Sequence, residues 1–490
     1  MNRFIYNFLR GIIIVYTKTG CRKIALVLVL LLAQGCSSHR IDTPDSLGEE
    51  VKTKVDTTKE FNAEQGVTGK VENNWLKTFN DTELDKLVDE ALEHNPNLKA
   101  ASFVVEQAAA QTKLASAALQ PTVGYNGGVS NTSVGSSSSS GGIGASWELD
   151  VWGRVSAQVQ SARSSQRAIE ADYAFAKQSL VAEVSKAWFS LIETIQQEQL
   201  SKQIVKEFAA TRELVNVKFD LGEVLRKDVS QAQADLNSAK DSHIQAQNAV
   251  KNSSRALELL LGRYPSATLI GQANLPQLPL FPQAGVPAEL LQRRPDLIAK
   301  EEQLRSAFFA VQDAELARFP TFSLSVGGGL SNGSNFLSAL AAGVTGPIYT
   351  GGAIEAGIEN ATAAQKGALA SYEAAIISVF KDVETSLNNE KVLQQRSEVL
   401  ALAVEDYKTA LKDTQTQYEL GEVELTLVQI QQTKLDASRS TDLHVKSLLL
   451  QNRVNMYLGL GGGFDSDDAG SEVKRAIEVD KKEAKKEKNN

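Results

Sequence analysis

Cysteine, proline, methionine and aromatic residues are all scarce in this chain of 490 residues, and each scarcity removes a class of protein. Two cysteines, Cys21 and Cys36, cannot build a disulfide framework. Apart from Met1 the only methionine is Met456, too few for a relay of thioether ligands to soft metal ions. His94, His243 and His444 stand far apart, without the spacing of metal ligands. The run Gly327-Gly328-Gly329 lacks the Lys-Ser/Thr ending of a nucleotide-binding loop, so the sequence implies neither a cofactor nor catalysis. With a formal net charge of −8 and no basic stripe interleaved with aromatics, nucleic acid is excluded as a partner. Eleven prolines and 6% aromatics in a chain rich in Ala, Ser, Gln, Leu and Val favour long helices over compact mixed domains.

What is present is a repeat. Shifted by 199 residues, the chain falls on itself without a gap from Pro96 to Leu460. Pro96 meets Pro295, Pro121 meets Pro320, Gly153 meets Gly352, Tyr173 meets Tyr372, and Leu261-Gly262 meets Leu460-Gly461. The run Leu221-Gly222-Glu223-Val224 meets Leu420-Gly421-Glu422-Val423. So long a period is a duplicated half-molecule, not a solenoid repeat. Residues 75–270 form the first unit and 271–463 the second.

Ahead of the repeats, Arg22 and Lys23 precede an apolar run from Ile24 to Ala33 that is too short for a stable membrane anchor. It ends in Gln34-Gly35-Cys36-Ser37-Ser38 and resembles a bacterial lipoprotein signal, which implies removal of residues 1–35 and lipidation of Cys36. Residues 36–74 are polar and without period, the pattern of a tether, and the charged stretch 464–490 reads as a disordered tail.

Within each unit the period changes. Val123, Tyr125, Gly127 and Val129 alternate with Gly124, Asn126, Gly128 and Ser130, predicting a strand over 121–130. A Ser/Gly-rich tip over 135–142 leads into a return strand over 142–151, in which Ile143, Ala145, Trp147, Leu149 and Val151 share one face. The second unit predicts strands over 320–329 and 340–349. Each has the length of a tilted membrane-spanning strand. In a barrel Glu148 and Asp150 would face the aqueous lumen, while Trp147 and Trp152 would mark the lipid interface or the junction with the helices. Between Gly153 and Gly222 there is no Gly or Pro, room for a helix of roughly 100 Å at 1.5 Å per residue. A second helix returns from Glu223 to Leu261, and the second unit repeats the hairpin about its turn at 420–423.

Four amphipathic strands cannot close a barrel, and open edges in lipid leave backbone groups unpaired, so two, three or four chains must assemble. At this point the chain resembles the TolC-like outer membrane efflux factors, and most closely their lipoprotein (NodT-type) branch. The resemblance rests on four segments: Ala91 to Leu98, Ser146 to Arg154, Val286 to Asp296 with its Arg293-Arg294-Pro295-Asp296, and Leu458 to Gly463. It implies an α+β membrane protein: a trimeric tube in which four strands per chain form a shared twelve-stranded barrel that continues into a periplasmic helical barrel. It also implies a passive exit duct for small molecules in the outer membrane of a bacterium, docked to a periplasmic adaptor and an inner-membrane transporter of RND type. A duct for type I protein secretion and a poreless periplasmic coiled-coil scaffold are the competing readings.

By the same resemblance the tip turns Leu221, Gly222, Glu223, Val224 and Leu420, Gly421, Glu422, Val423 would dock the adaptor. Related tunnels are gated by paired aspartates just after the second turn, where this chain has Leu427 and Ile430. An apolar constriction at Leu427 and Ile430 is therefore expected, with Asp228, Glu422 and Glu424 as the nearby sources of charge.

Overall fold

In a computed structural model of the chain, residues 73–131, 137–272, 274–282, 287–331 and 337–464 are described, with Gly48 and Thr53 as isolated positions. The leader, Cys36, almost all of the tether and residues 465–490 lie outside them.

A 3-10 turn at Trp75–Phe79 opens the body. The first unit then runs α1 (Thr82–His94), α2 (Pro96–Ala117), β1 (Thr122–Asn131), β2 (Ser137–Leu149), α3 (Arg154–Asp220) and α4 (Arg226–Leu260). The second runs α5 (Pro287–Arg293), α6 (Pro295–Leu316), β3 (Thr321–Ser331), β4 (Leu337–Thr345), α7 (Ala353–Glu419) and α8 (Leu425–Gly459).

Several boundaries differ from expectation. Ser137 to Gly142 belong to β2 rather than to a tip, because a backbone paired with β1 and β3 accepts small residues readily. Strand β4 ends at Thr345, where Gly346-Pro347 removes a ladder donor. The returning helices begin at Arg226 and Leu425, three residues later than expected, since each turn first completes a helix-ending motif. Phe464 packs against the main core and is not part of a solvated tail.

The four strands form one antiparallel meander, β1-β2-β3-β4, and the β2–β3 ladder joins the two units. Its register places Val123, Tyr125, Ile143, Trp147, Leu324, Val326, Leu340 and Val344 on one face. Thr122, Asn126, Ser140, Ser146, Ser323, Ser325 and Gly343 occupy the other. No helix covers the apolar face: Tyr125 is 91% and Leu340 74% exposed. A face of that kind is a lipid surface.

Helices α3 and α7 are 67 residues long each. Helix α3 packs on α2 and α6 towards the sheet and on α4 and α8 away from it, whereas α7 packs on α6 and α8. Helix α7 has fewer helix neighbours than α3. At mid-height a core gathers Trp75, Phe79, Trp188, Phe189, Leu257, Leu261 and Tyr457. Asp81 serves it twice, accepting the Trp188 indole N–H at 2.8 Å and capping α1 through the amides of Glu83 and Leu84.

Matched positions make the same contact with different chemistry. Asn95 caps α2 and donates from Nδ2 to the Leu260 carbonyl at 2.8 Å, holding the end of α4. Its counterpart Arg294 donates from Nη1 to the Gly459 carbonyl at 3.0 Å, holding the end of α8. Beside these contacts Gly262 and Gly461 close α4 and α8 at φ 74° and 67°. A Cβ on Gly262 would collide with the His94 carbonyl, while one on the tip glycine Gly421, at φ 77°, would meet open space.

Both Gly262→Ala and Gly421→Ala force a side chain into left-handed backbone, at about 1–2 kcal/mol. Only the first adds a backbone collision, so Gly262→Ala is expected to lower the melting temperature clearly more. Equal losses would show that the α4 end yields without strain.

Candidate functional site

The far ends of the long hairpins carry the candidate docking and gating residues. Each hairpin ends its first helix in the same way. The Gly222 amide donates to the Phe219 carbonyl and the Glu223 amide to the Lys218 carbonyl at 2.9 Å, with Gly222 at φ 80°. The Gly421 amide donates to Tyr418 and the Glu422 amide to Gln417 at 2.9 Å. These bonds satisfy carbonyls that a helix end leaves orphaned, and they need a left-handed residue, hence glycine.

The turns then present matched surfaces. Leu221 is 69% and Leu420 70% exposed, although each sits beside a packed tip core. That core holds Val215, Ala232, Leu411, Tyr418, Leu425, Val428 and Leu435, and Val224 and Val423 pack against its rim. Glu223, Glu422 and Glu424 point outward, and Leu225 adds another exposed apolar side chain.

The gate candidates separate into different roles. Asp228 accepts the Leu225 amide at 2.9 Å, so its carboxylate caps the first turn of α4. The matched residue on α8 is Leu427, and that turn lacks the capping carboxylate. Leu427 and Ile430 lie one helical turn apart, both substantially exposed. Ile430 lines a cleft of about 460 Å³ between α3, α4 and α8 with Phe208, Asp235, Gln429, Thr433 and Lys434. Leu427 is outside that cleft.

Two tip residues were missed by sequence reasoning. Lys218 is buried and donates from Nζ to the Tyr418 carbonyl at 3.1 Å and the Glu419 carbonyl at 3.2 Å, capping α7 from the other hairpin. Its ammonium also lies 5.1 Å from the Tyr418 ring centroid and 3.3 Å from Glu223. Tyr418 keeps its hydroxyl buried without a hydrogen-bond partner among the described residues. Burial pushes that phenol above its usual range, and the charges of Asp228 and Glu223 add to the effect. The available signal was a break in the repeat, since the position matched to Lys218 is Gln417.

At the sheet end the lumen assignments need correction. Strand β2 stops at Leu149, and Asp150 caps α3 by accepting the amides of Val155 and Ser156 at 2.9 and 2.8 Å. It is spent on a helix N-terminus rather than offered to a lumen. Glu148 stays on the polar face but pairs with Arg154 at 2.8 Å. Trp152 donates its indole N–H to the Pro320 carbonyl and stacks on Phe319, at the junction between strands and helices. Trp147 remains on the apolar face and donates to the Leu119 carbonyl. No cluster of metal-ligating side chains occurs among the described residues.

A family model for outer membrane efflux proteins matches residues 87–263 and again 286–462, the second span displaced from the first by the 199 residues of the internal repeat. The pyoverdine export outer membrane protein OpmQ of Pseudomonas aeruginosa is 30% identical over 81% of this chain and 88% of its own length. The cation efflux system protein CusC of Escherichia coli is 26% identical over 79% of this chain and 88% of its own. The crystal structure of the CmeC outer membrane channel of Campylobacter jejuni superposes with a TM-score of 0.78, at 23% identity, over 84% of this chain and 93% of that one.

Lys218→Met would leave the last carbonyls of α7 without their charged donor, a bond of a kind that contributes about 1.5–3 kcal/mol. Hydrogen exchange of the amides at 420–424 is expected to accelerate by at least about tenfold, with the mid-height core unchanged. Unaltered exchange at the turn would remove Lys218 from its role as the cross-hairpin cap.

Proposed function

We infer how this protein works from the premise that the chain belongs to the outer membrane efflux protein family: it is the outer-membrane channel of an efflux system and not an enzyme. The observation that carries the reading is the four-stranded sheet with a bare apolar face, an opposite face of Ser, Thr and Gly, and unpaired edges, continuous with two 67-residue helices. A sheet of this kind is stable in lipid only when closed. In the sequence β1, β2, β3, β4 successive strands alternate in direction, so β4 of one chain meets β1 of the next antiparallel, and closure by identical copies continues the same ladder.

Three copies give twelve strands and an aqueous lumen, whereas two would give eight, a number whose interior side chains tend to fill. The polar face is nearly uncharged, since Glu148 is neutralised by Arg154. The barrel therefore serves as an unselective exit, and choice of cargo falls to the pump. The names of the relatives fit this division, one being a pyoverdine export protein and another a cation efflux protein on the same fold.

At the other end Leu221 and Leu420, repeated around the ring with Glu223 and Glu422 beside them, form the surface for a periplasmic adaptor that joins the duct to an RND-type inner-membrane transporter. Leu427 and Ile430 line an apolar constriction there, which opens on docking. Cys36 carries the lipid anchor, with the helical tunnel in the periplasm.

Two experiments test these assignments. Single-channel current through the protein in planar bilayers is expected as small, persistent openings, and Leu427→Ser with Ile430→Ser should raise the conductance several-fold. An unchanged conductance would remove these residues from the constriction, and no insertion by folded protein would overturn the duct. Leu221→Asp with Leu420→Asp should abolish efflux in cells while leaving assembly intact, and full efflux would sink the docking surface.

A further inference from the structure

The most extensive contact between the two hairpins of one chain is the seam of α3 with α8, and below the mid-height core it is stitched by polar groups. Near its lower end the Gln432 amide donates to Glu207 Oε2 at 2.6 Å and to both oxygens of Asp436 at 3.0 Å. Arg439 Nη1 lies 3.5 Å from Glu207 Oε1 and 3.6 Å from Asp436 Oδ1, and this buried nitrogen hydrogen-bonds to neither. Higher up, Gln197 and Ser440 exchange two hydrogen bonds, and His444 Nδ1 meets Glu193 at 2.9 Å.

Two carboxylates face one guanidinium, which leaves a surplus negative charge in a largely closed place: the Asp436 side chain is 13% exposed and that of Glu207 29%. The charges acting on Asp436 are Glu207 from α3 and Arg439 from its own helix. On the neighbouring α4 face, Asp235 is held by Gln429 at 2.5 Å and Gln231 at 2.9 Å.

We propose that this cluster is a proton-operated latch, in which uptake of one proton from solvent by Asp436 fixes the second-unit hairpin against the first and its loss loosens the seam. Burial pushes the Asp436 carboxyl from 3.8 to about 6; the Gln432 hydrogen bond opposes this, the Glu207 charge adds to it and Arg439 opposes it. If the seam parts, Asp436 regains water and an ordinary carboxylate range. The raised value belongs to the closed seam, so its stabilisation is complete below the ordinary carboxylate range and is lost as pH rises through about 6. The tip core lies just beyond the cluster, so what holds the seam also limits the aperture at Leu427 and Ile430. That consequence rests on the duct reading above, whereas the latch itself does not.

The test is amide hydrogen exchange of segments 203–211 and 428–440 in the full-length protein at about pH 5 and about pH 7.5, corrected for intrinsic rates. Protection in the wild type is expected to fall by at least about tenfold between the two, one pKa unit corresponding to a factor of ten. Asp436→Asn, which imitates the protonated form, should stay protected at both. Glu207→Gln removes the surplus charge and should move the transition to lower pH. The His444–Glu193 pair is intact in both variants, so a difference from wild type isolates the cluster. A flat wild type, or the wild-type profile retained in Asp436→Asn with an unchanged melting temperature, overturns the latch. Conductance, recorded in parallel, should follow the same pH dependence. Exchange as expected without any current would sink the duct and spare the latch, and current without the exchange change would do the reverse.

Discussion

Everything in this molecule answers to the requirement that a backbone in lipid find all its hydrogen bonds within protein. The sheet satisfies the inner strands β2 and β3 on both sides and leaves β1 and β4 each with one open edge. Those edges make the isolated chain an incomplete object, and the helical layers share the incompleteness. Helix α3 packs against five other helices, α1, α2, α4, α6 and α8, while α7 carries exposed Ile377, Val399 and Leu402. Both the sheet and α7 therefore keep surfaces that further protein can cover.

Duplication supplies the geometry, and divergence supplies the function. The end of α4 is held by an amide from Asn95 and the end of α8 by a guanidinium from Arg294, at matched positions on matched carbonyls. Here the contact is preserved and its chemistry has changed. Elsewhere the contact is new. Arg453 and Glu390 form an ion pair buried to 1% on both sides, with Asn452 donating to Glu390 and Arg453 donating to the Pro279 carbonyl. The matched first-unit positions are Ser254 and Leu191. That pair ties α7 and α8 to the connection between the units, where the first unit uses neutral Ser254, which donates to the Leu269 carbonyl. Its value is positional, because desolvation offsets most of what a buried pair gains.

The rods, the strands and the two turns were readable because each has a period or a punctuation mark: 68 residues without Gly or Pro between Gly153 and Gly222, alternation of apolar residues, and Leu-Gly-Glu-Val written twice. Strand ends were less readable, since Ser137 to Gly142 look like a loop by composition and become strand only through their partners on β1 and β3. The site was hardest. Asp150 and Asp228 look like charges available to a pore, yet each is engaged by amides at a helix start within six residues of itself. Spacing along a chain does not say whether a carboxylate faces water or a capping amide. Lys218 gave no periodic signal because its partners, the carbonyls of Tyr418 and Glu419, belong to the other hairpin.

Those cross-hairpin contacts differ in kind from the contacts higher up the rods. Helix α3 grips α6 and α4 along extended faces, and its two halves are further fixed by the mid-height core. Towards the tip the apolar contacts thin to one small cluster around Val215, Tyr418 and Val428, and polar pairs carry the α3–α8 seam. Polar pairs that regain water on separation cost little to part, because each exchanges one hydrogen bond for another. Apolar burial along the upper rods has no such exchange and resists separation in proportion to area. The hairpins are therefore held most firmly at mid-height and least firmly towards the turns, where Leu221 and Leu420 are exposed.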